Sequence, residues 1–294
     1  MTRPSRVPEF PGLSQMIDAA AAALAEAGVE SPRVDAELLA AHATGTDRGR
    51  LTLIEAGPGF EERYGELIAH RANRIPLQHI VGTAPFGPVD VHVGPGVFIP
   101  RPETETMLEW AMTQQVSNKP VIVDLCTGSG ALAVALAKAR PDARVIAIDD
   151  SDGALEYARR NVSGTSVELI RADVTDSDLM PELDGQVDLV VANPPYIPDG
   201  TQLAPEVAEH DPAHALFGGP DGMRVIHAIV ELCERWLRPG GRCAVEHDDT
   251  TSERTVEAFT RTVRFDDVTA RRDLAGRLRF VTARRSRGVA GRTA

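Results

Sequence analysis

No run of about 18 consecutive apolar residues, the length a bilayer-spanning helix needs, occurs anywhere in the 294-residue sequence. Residues Met1 to Pro11 also lack the apolar core of a signal peptide. A soluble cytoplasmic chain with no membrane partner is therefore expected. Cysteine is scarce: Cys126, Cys233 and Cys243 are odd in number and show no C-x-x-C spacing. That excludes a disulfide framework and a zinc knuckle, and it fits a reducing compartment. Positive charge is short as well, with 31 Lys and Arg against 43 Asp and Glu and a net charge of -12. Such a surface repels phosphate backbones, which counts against a nucleic acid as the main partner unless a local basic patch overrides the field. No internal repeat is visible.

What is present suggests two parts, since 294 residues at 43% hydrophobic suffice for a standard domain plus a small one. Leu13, Met16, Ile17, Ala20 and Leu24 recur at helical spacing, and Gly28 stands where the helix end needs positive φ. Ser31-Pro32 reads as an N-cap followed by proline at the first helical position, before the stripe Val34, Leu38, Ala41. After Gly57-Pro58-Gly59, Phe60, Tyr64, Leu67 and Ile68 form a third amphipathic stretch. Residues 1–74 are thus expected to be a small helical bundle. Residues 75–97, dense in Pro and Gly around Val89-Asp90-Val91-His92-Val93, read as a linker with a β-hairpin.

From about residue 120, strand-like and helix-like stretches alternate: 121–124, 131–139, 145–149, 152–161, 166–171, 187–192, 223–237 and 243–245. Two β-like runs, 264–270 and 278–283, follow and suggest an antiparallel hairpin at a sheet edge. This alternation predicts an α/β fold, a mainly parallel sheet with helices on both faces. The domain is expected over 98–286, with 287–294 as a flexible tail.

Strand 121–124 runs into Leu125-Cys126-Thr127-Gly128-Ser129-Gly130 and an Ala-rich helix. A glycine-rich turn at the carboxyl edge of a doubly wound sheet is a ligand site, because the backbone comes close and the helix start offers free N–H donors. About twenty residues on, Asp149 ends the second strand and is placed to accept from the two hydroxyls of a ribose. Asp173, ending the third, suits an exocyclic adenine amine. Taken alone, Gly128 to Ala133 also fits the dinucleotide pattern G-x-G-x-x-A, so the loop by itself leaves methyl donor and NAD open.

The chemistry is sharper at Asn193-Pro194-Pro195-Tyr196, after the apolar strand 187–192. Proline keeps the preceding residue extended and withholds the Pro194 carbonyl from a helical ladder. Two fixed acceptors result, the Asn193 side-chain oxygen and the Pro194 carbonyl. An amide or aniline-like nitrogen is a poor nucleophile because its lone pair is delocalised. Acceptors that take both N–H hydrogens can hold it where the lone pair faces a sulfonium methyl, so orientation and electrostatics replace a strong base. Tyr196 can stack on the planar substrate group, and its ring face favours a nearby cation.

The runs Phe98-Ile99-Pro100-Arg101-Pro102-Glu103-Thr104-Glu105, Asp124 to Gly130 and Asn193 to Tyr196 resemble the PrmC/HemK family of release factor glutamine methyltransferases. Pro76-Leu77-Gln78-His79-Ile80 with Gly82, Ala215 to Gly222, and Asp273-Leu274-Ala275-Gly276-Arg277 extend the resemblance over nearly the whole chain. It implies a Rossmann-like, seven-stranded methyltransferase domain that uses S-adenosylmethionine and releases S-adenosylhomocysteine. It further implies methylation of the side-chain nitrogen of the glutamine in the Gly-Gly-Gln motif of class I peptide chain release factors, with the N-terminal helices docking that partner. Asn193, Pro194 and Tyr196 would be catalytic, and Pro195 and Phe98 would join them in holding substrate. Asp124, Cys126, Thr127, Gly128, Ser129, Gly130, Asp149, Asp173, Val174, Asn193 and Phe98 would bind the cofactor. No metal is expected, and the chain is expected to be a monomer. For Phe98 the residues alone fit core packing equally well, and Glu103 and Glu105 fit simple capping of the next helix. Three places depart from the family pattern: Asp211-Pro212 where Glu-Pro is common, His247-Asp248-Asp249 after Glu246, and Leu278 in place of a polar residue.

The leading alternative is a nucleic-acid adenine N6-methyltransferase, which presents the same acceptors to an exocyclic amine. Residues 199–223 carry five acidic residues and no Lys or Arg, the opposite of a phosphate-tracking groove. A non-catalytic scaffold conflicts with the intact glycine turn and acceptor loop. A zinc site at His210-Asp211-Pro212-Ala213-His214 conflicts with Pro212, which breaks the helix needed to align both imidazoles.

Overall fold

The computed structural model describes residues 12–287. Residues 1–11 and the tail beyond Arg287 lie outside the described residues. The chain divides into two compact units, Met1–Gly82 and Thr83–Ala294.

In the first unit, α1 (Leu13–Glu26), α2 (Pro32–Thr44), α3 (Phe60–Ala72) and the short α4 (Leu77–Val81) surround a core of Leu24, Ala36, Leu39, Phe60 and Tyr64. Gly28 takes φ 76° just past α1, a left-handed turn that favours glycine. Ser31 occupies the N-cap position before Pro32, but its side chain makes no capping bond. A single 3-10 segment, Arg48–Leu53, has no counterpart in the apolar pattern. Two buried polar contacts add specificity to the bundle. Arg71 Nε sits 2.7 Å from Asp35 Oδ2, and the Tyr64 hydroxyl donates to the Ala36 carbonyl at 2.9 Å.

The second unit begins with the hairpin β1 (Thr83–Phe86) and β2 (Val89–His92), followed by α5 (Pro102–Thr113). The sheet elements then follow as β3 (Val121–Leu125), α6 (Ala131–Ala139), β4 (Arg144–Asp149), α7 (Asp152–Asn161), β5 (Glu168–Arg171) and β6 (Val187–Ala192). Two short helices, α8 (Pro205–His210) and α9 (Ala213–Leu216), precede α10 (Arg224–Trp236), β7 (Leu237–Glu246), α11 (Ser252–Arg261), β8 (Phe265–Arg272) and β9 (Leu278–Arg285). The seven-stranded order is β5-β4-β3-β6-β7-β9-β8, parallel from β5 to β7, with β9 antiparallel to both β7 and β8. The closing hairpin is therefore inserted so that its second strand extends the sheet and its first forms the edge.

Alternate residues of the central strands feed two cores, as the two-residue period requires. Val123, Leu125, Ile146, Ile148 and Val190 meet Ile226, Ile229 and Trp236 of α10 on one face. Ile122, Val145, Ala147, Leu189 and Val191 meet Met107 and Leu108 of α5 and the alanines of α6 on the other. Sandwiching on both sides explains why β6 is buried at all six positions.

The stretch 75–97 spans the boundary between the two units. Its first part is α4, which packs on the bundle core through Leu77, Ile80 and Val81. Its hairpin buries Ala84, Phe86, Val91 and Val93 in the second core of the larger unit. The expected hairpin is thus present and joins a core, whereas a composition rich in breakers hid the helix α4.

Candidate active site

The glycine turn is built from the strand outward. Asp124, fully buried at the end of β3, accepts from Thr127 Oγ1 at 2.5 Å and from the Ala133 amide of α6 at 3.1 Å. Burial pushes its carboxyl up to about 7 despite those two bonds. Cys126, Gly128 and Gly130 all take positive φ, at 57°, 57° and 84°, so the chain folds back sharply before α6. Asp124 and Gly130 are not among the residues that line the cavity next to the turn.

The open side faces a cavity of about 650 Å³ at the carboxyl ends of the parallel strands. Cys126, Thr127, Gly128, Ser129, Asp149, Asp173, Val174, Asn193, Pro194, Pro195, Tyr196 and Phe98 all line it. Asp149, largely buried at the end of β4, accepts the Gly128 amide at 2.8 Å and the Ser151 amide at 3.0 Å. Its burial raises the carboxyl above the usual carboxylate range. Asp173 is exposed and held by the Thr175 hydroxyl and amide, at 2.7 and 2.8 Å, which keep its carboxyl below that range. The cavity thus carries two carboxylates, Asp149 and Asp173, beside the glycine turn that leads into α6, a donor and acceptor set that fits an adenosine-containing methyl donor.

Asn193 to Tyr196 leave β6 without helical or sheet pairing. Among the described residues no backbone N–H donates to the Pro194 carbonyl. The loop is held instead from the far side by residues 216–222. The Ile197 amide donates to the Leu216 carbonyl at 2.8 Å, the Gly218 amide to the Ile197 carbonyl at 2.9 Å, and the Asp199 amide to the Gly219 carbonyl at 3.0 Å. Close approach requires glycine here: a Cβ at Gly218 would fall 2.5 Å from the Pro195 carbonyl oxygen, and one at Gly222 would collide with the Tyr196 carbonyl oxygen. The Gly-Gly-Pro-Asp-Gly run is therefore a clamp on the acceptor loop.

Around these residues lies a polar set that motif reading did not assign. Thr104, in the first turn of α5, donates to Glu246 Oε2 at 2.8 Å, and the Tyr196 hydroxyl donates to Glu246 Oε1 at 3.0 Å. Asn193 Nδ2 donates to Thr104 Oγ1 at 3.3 Å. Glu246 ends β7 almost wholly buried, and burial pushes its carboxyl up to about 7. Burial and the neighbouring Glu246 charge push the Tyr196 phenol well above its ordinary value. Arg279 of β9 faces both groups and is itself held by Asp273 at 3.2 Å. A lone buried Glu closing an apolar strand was the one signal in the sequence for this network.

Phe98 lies on the cavity wall, with the Arg101 guanidinium 4.8 Å over its ring. Arg101 also pairs with the buried Asp211 carboxylate. The Asp at 211 in place of Glu thus anchors the strap carrying Phe98. Asp211 and Pro212 separate α8 from α9, so His210 and His214 sit on different helices. His247 is buried, and burial lowers its basicity, while Leu278 begins β9.

An open seven-stranded sheet in this order, with its cavity at the carboxyl ends of the parallel strands, is that of the S-adenosylmethionine-dependent methyltransferases. A solved methyltransferase from Pyrococcus furiosus shares the fold with a TM-score of 0.52, covering 75% of this chain and 100% of that one at 19% identity. Residues 15–82 match the PrmC N-terminal domain and residues 90–219 the methyltransferase small domain. The chain is 68% identical over 274 residues to the release factor glutamine methyltransferase of Mycolicibacterium smegmatis, covering 93% of this chain and 98% of that protein. It is 66% identical over 278 residues to the protein of the same name from Mycobacterium tuberculosis, covering 93% and 91%. The chain belongs to the release factor glutamine methyltransferase family.

Proposed function

We propose that this enzyme methylates the side-chain amide nitrogen of the glutamine in the Gly-Gly-Gln motif of class I release factors. When bound, S-adenosylmethionine supplies a methyl group activated by its sulfonium. Asp149 accepts the ribose hydroxyls, Asp173 accepts the adenine amine, and the turn from Cys126 to Ser129 with Val174 shapes the remainder of that pocket. Asn193 Oδ1 and the Pro194 carbonyl accept the two amide hydrogens. Holding both hydrogens fixes the nitrogen where its lone pair can face the donor pocket. Tyr196, anchored by its hydroxyl on Glu246, offers a ring face to the planar amide. Phe98, braced by Arg101, closes the wall opposite. The N-terminal helices dock the protein substrate, and the chain acts as a cytoplasmic monomer.

The observation that carries this reading is the unengaged Pro194 carbonyl beside Asn193 on a glycine-clamped loop. Mass spectrometry of a purified release factor incubated with the enzyme and S-adenosylmethionine tests it. A gain of one methyl on the Gly-Gly-Gln glutamine is expected. An unmodified factor, with methylation of adenine in a parallel oligonucleotide, would replace the reading by the nucleic-acid alternative.

A further inference from the structure

An asparagine amide can turn over by 180° with almost no change of shape, exchanging its oxygen for an NH2 group. At Asn193 the two orientations are opposite in chemistry. With Oδ1 toward the cavity it accepts a substrate N–H, whereas with Nδ2 there it sets donor against donor and repels the same nitrogen. Something in the protein must choose between them.

We propose that Thr104 is a positioning residue for methyl transfer, which together with Glu246 locks the Asn193 amide with Oδ1 toward the substrate. The inference rests on the role given to Asn193 above. A carboxylate accepts hydrogen bonds and donates none, so Glu246 Oε2, 2.8 Å from Thr104 Oγ1, takes the single hydroxyl proton of Thr104. Only lone pairs then remain on Oγ1 for its other neighbour. That neighbour is the Asn193 side chain, 3.3 Å away through Nδ2, so the NH2 end is drawn to Thr104 and Oδ1 is left at the cavity wall. Thr104 is 3% exposed and Glu246 1%, so little of either side chain is open to solvent. Position 104 lies in the first turn of α5, where Pro102 starts the helix, and the β-branched side chain has few rotamers to choose from. Glu246 accepts from Tyr196 with its other oxygen, so one buried carboxylate orients both the acceptor and the ring that flank the substrate amide.

The chain of polarity runs one way: an accept-only Glu246, a Thr104 that donates once and otherwise accepts, and an Asn193 that must present its donor end inward. Neither Thr104 nor Glu246 needs to touch the methyl donor or the glutamine for this to operate.

The test compares Thr104→Val, which keeps the shape and removes the hydroxyl, with Thr104→Ser, which keeps the hydroxyl. Both are made in the full-length enzyme and assayed with a synthetic Gly-Gly-Gln peptide. A misoriented amide should lower kcat of Thr104→Val by about tenfold or more, while the peptide KM and the S-adenosylmethionine Kd stay within about threefold. Thr104→Ser should keep kcat within about twofold of wild type. If Thr104→Val does not fold, Thr104→Ala carries the same expectation. A second readout does not depend on turnover: the side-chain amide signal of Asn193, assigned in 15N-labelled protein by its loss in Asn193→Ala, should shift in Thr104→Val and hold in Thr104→Ser. Wild-type kcat in Thr104→Val, a Ser variant as slow as the Val one, or an unmoved Asn193 signal would each overturn the relay. A wild-type enzyme that methylates neither the peptide nor an intact release factor would instead overturn the glutamine substrate, and the amide signal would still decide the relay.

Discussion

The Gly128 amide donates to Asp149 Oδ2 at 2.8 Å, tying the glycine turn after β3 to the acid that ends β4. One carboxylate therefore supports the loop and also faces the cavity, and its loss removes two things at once.

Asp149→Ala should accordingly weaken S-adenosylmethionine binding by about a hundredfold, the scale expected when charge-assisted hydrogen bonds go together with loop support. Asp149→Asn, which retains an acceptor for Gly128, should lose only about tenfold. Isothermal titration calorimetry with S-adenosylhomocysteine measures both, and equal losses would show that the loop tie contributes nothing.

Asn193→Ala should separate binding from chemistry in the other direction. Removing one of two preorganised acceptors is expected to lower kcat by about 100- to 1,000-fold, while cofactor Kd stays within about threefold. Single-turnover methylation of a Gly-Gly-Gln peptide, alongside calorimetry, reads the two separately. Near-wild-type kcat would end the acceptor model.

Glu246 makes activity and stability run oppositely with pH. Its folded-state value of about 7 lies above the ordinary 4.5, because burial outweighs its bonds to Thr104 and Tyr196 and the nearby Arg279, while Glu103 pushes in the same direction as burial. The folded state thus holds this proton more tightly than the unfolded chain. Its stabilising contribution is full below pH 4.5 and is lost as the pH rises through about 7, on the order of 3 kcal/mol over the whole window. The relay through Thr104 needs the carboxylate, so kcat at saturating cofactor should fall as the pH drops below about 7. Glu246→Gln should flatten both profiles, which pH-resolved denaturant melts and kcat measurements will reveal. An unchanged acid limb in that variant would assign the limb elsewhere.

Docking by the first unit is tested by truncation at the boundary the structure shows, after Gly82. A cut at residue 72 would strip Leu77, Ile80 and Val81 of their core. Removal of residues 1–82 should raise KM for an intact release factor about tenfold or more, while leaving KM for a short peptide within about twofold, since remote contacts exist only with the protein substrate. Equal effects on both would sink the docking role.

The amino-acid order by itself determined the elements with strong periodicity or singular chemistry. The strands around Val121, Val145 and Val187, the helices on either side, the glycine turn and the Asn-Pro-Pro-Tyr loop were legible because apolar spacing and proline restriction act over a few residues. Short, breaker-rich segments were legible only in part: the hairpin of 83–92 was, but α4 was not, and nothing in the composition told that the two join different cores. Only the tertiary structure showed that Asp124 ties the turn to α6 through Thr127 and Ala133, that Gly218 and Gly222 clamp the acceptor loop, and that Thr104, Asn193, Tyr196 and Glu246 share one network. Thr104 and Glu246 are 142 positions apart in the chain. A hydrogen bond between them depends on how α5 packs across the end of β7, and no local pattern in the sequence encodes that distance.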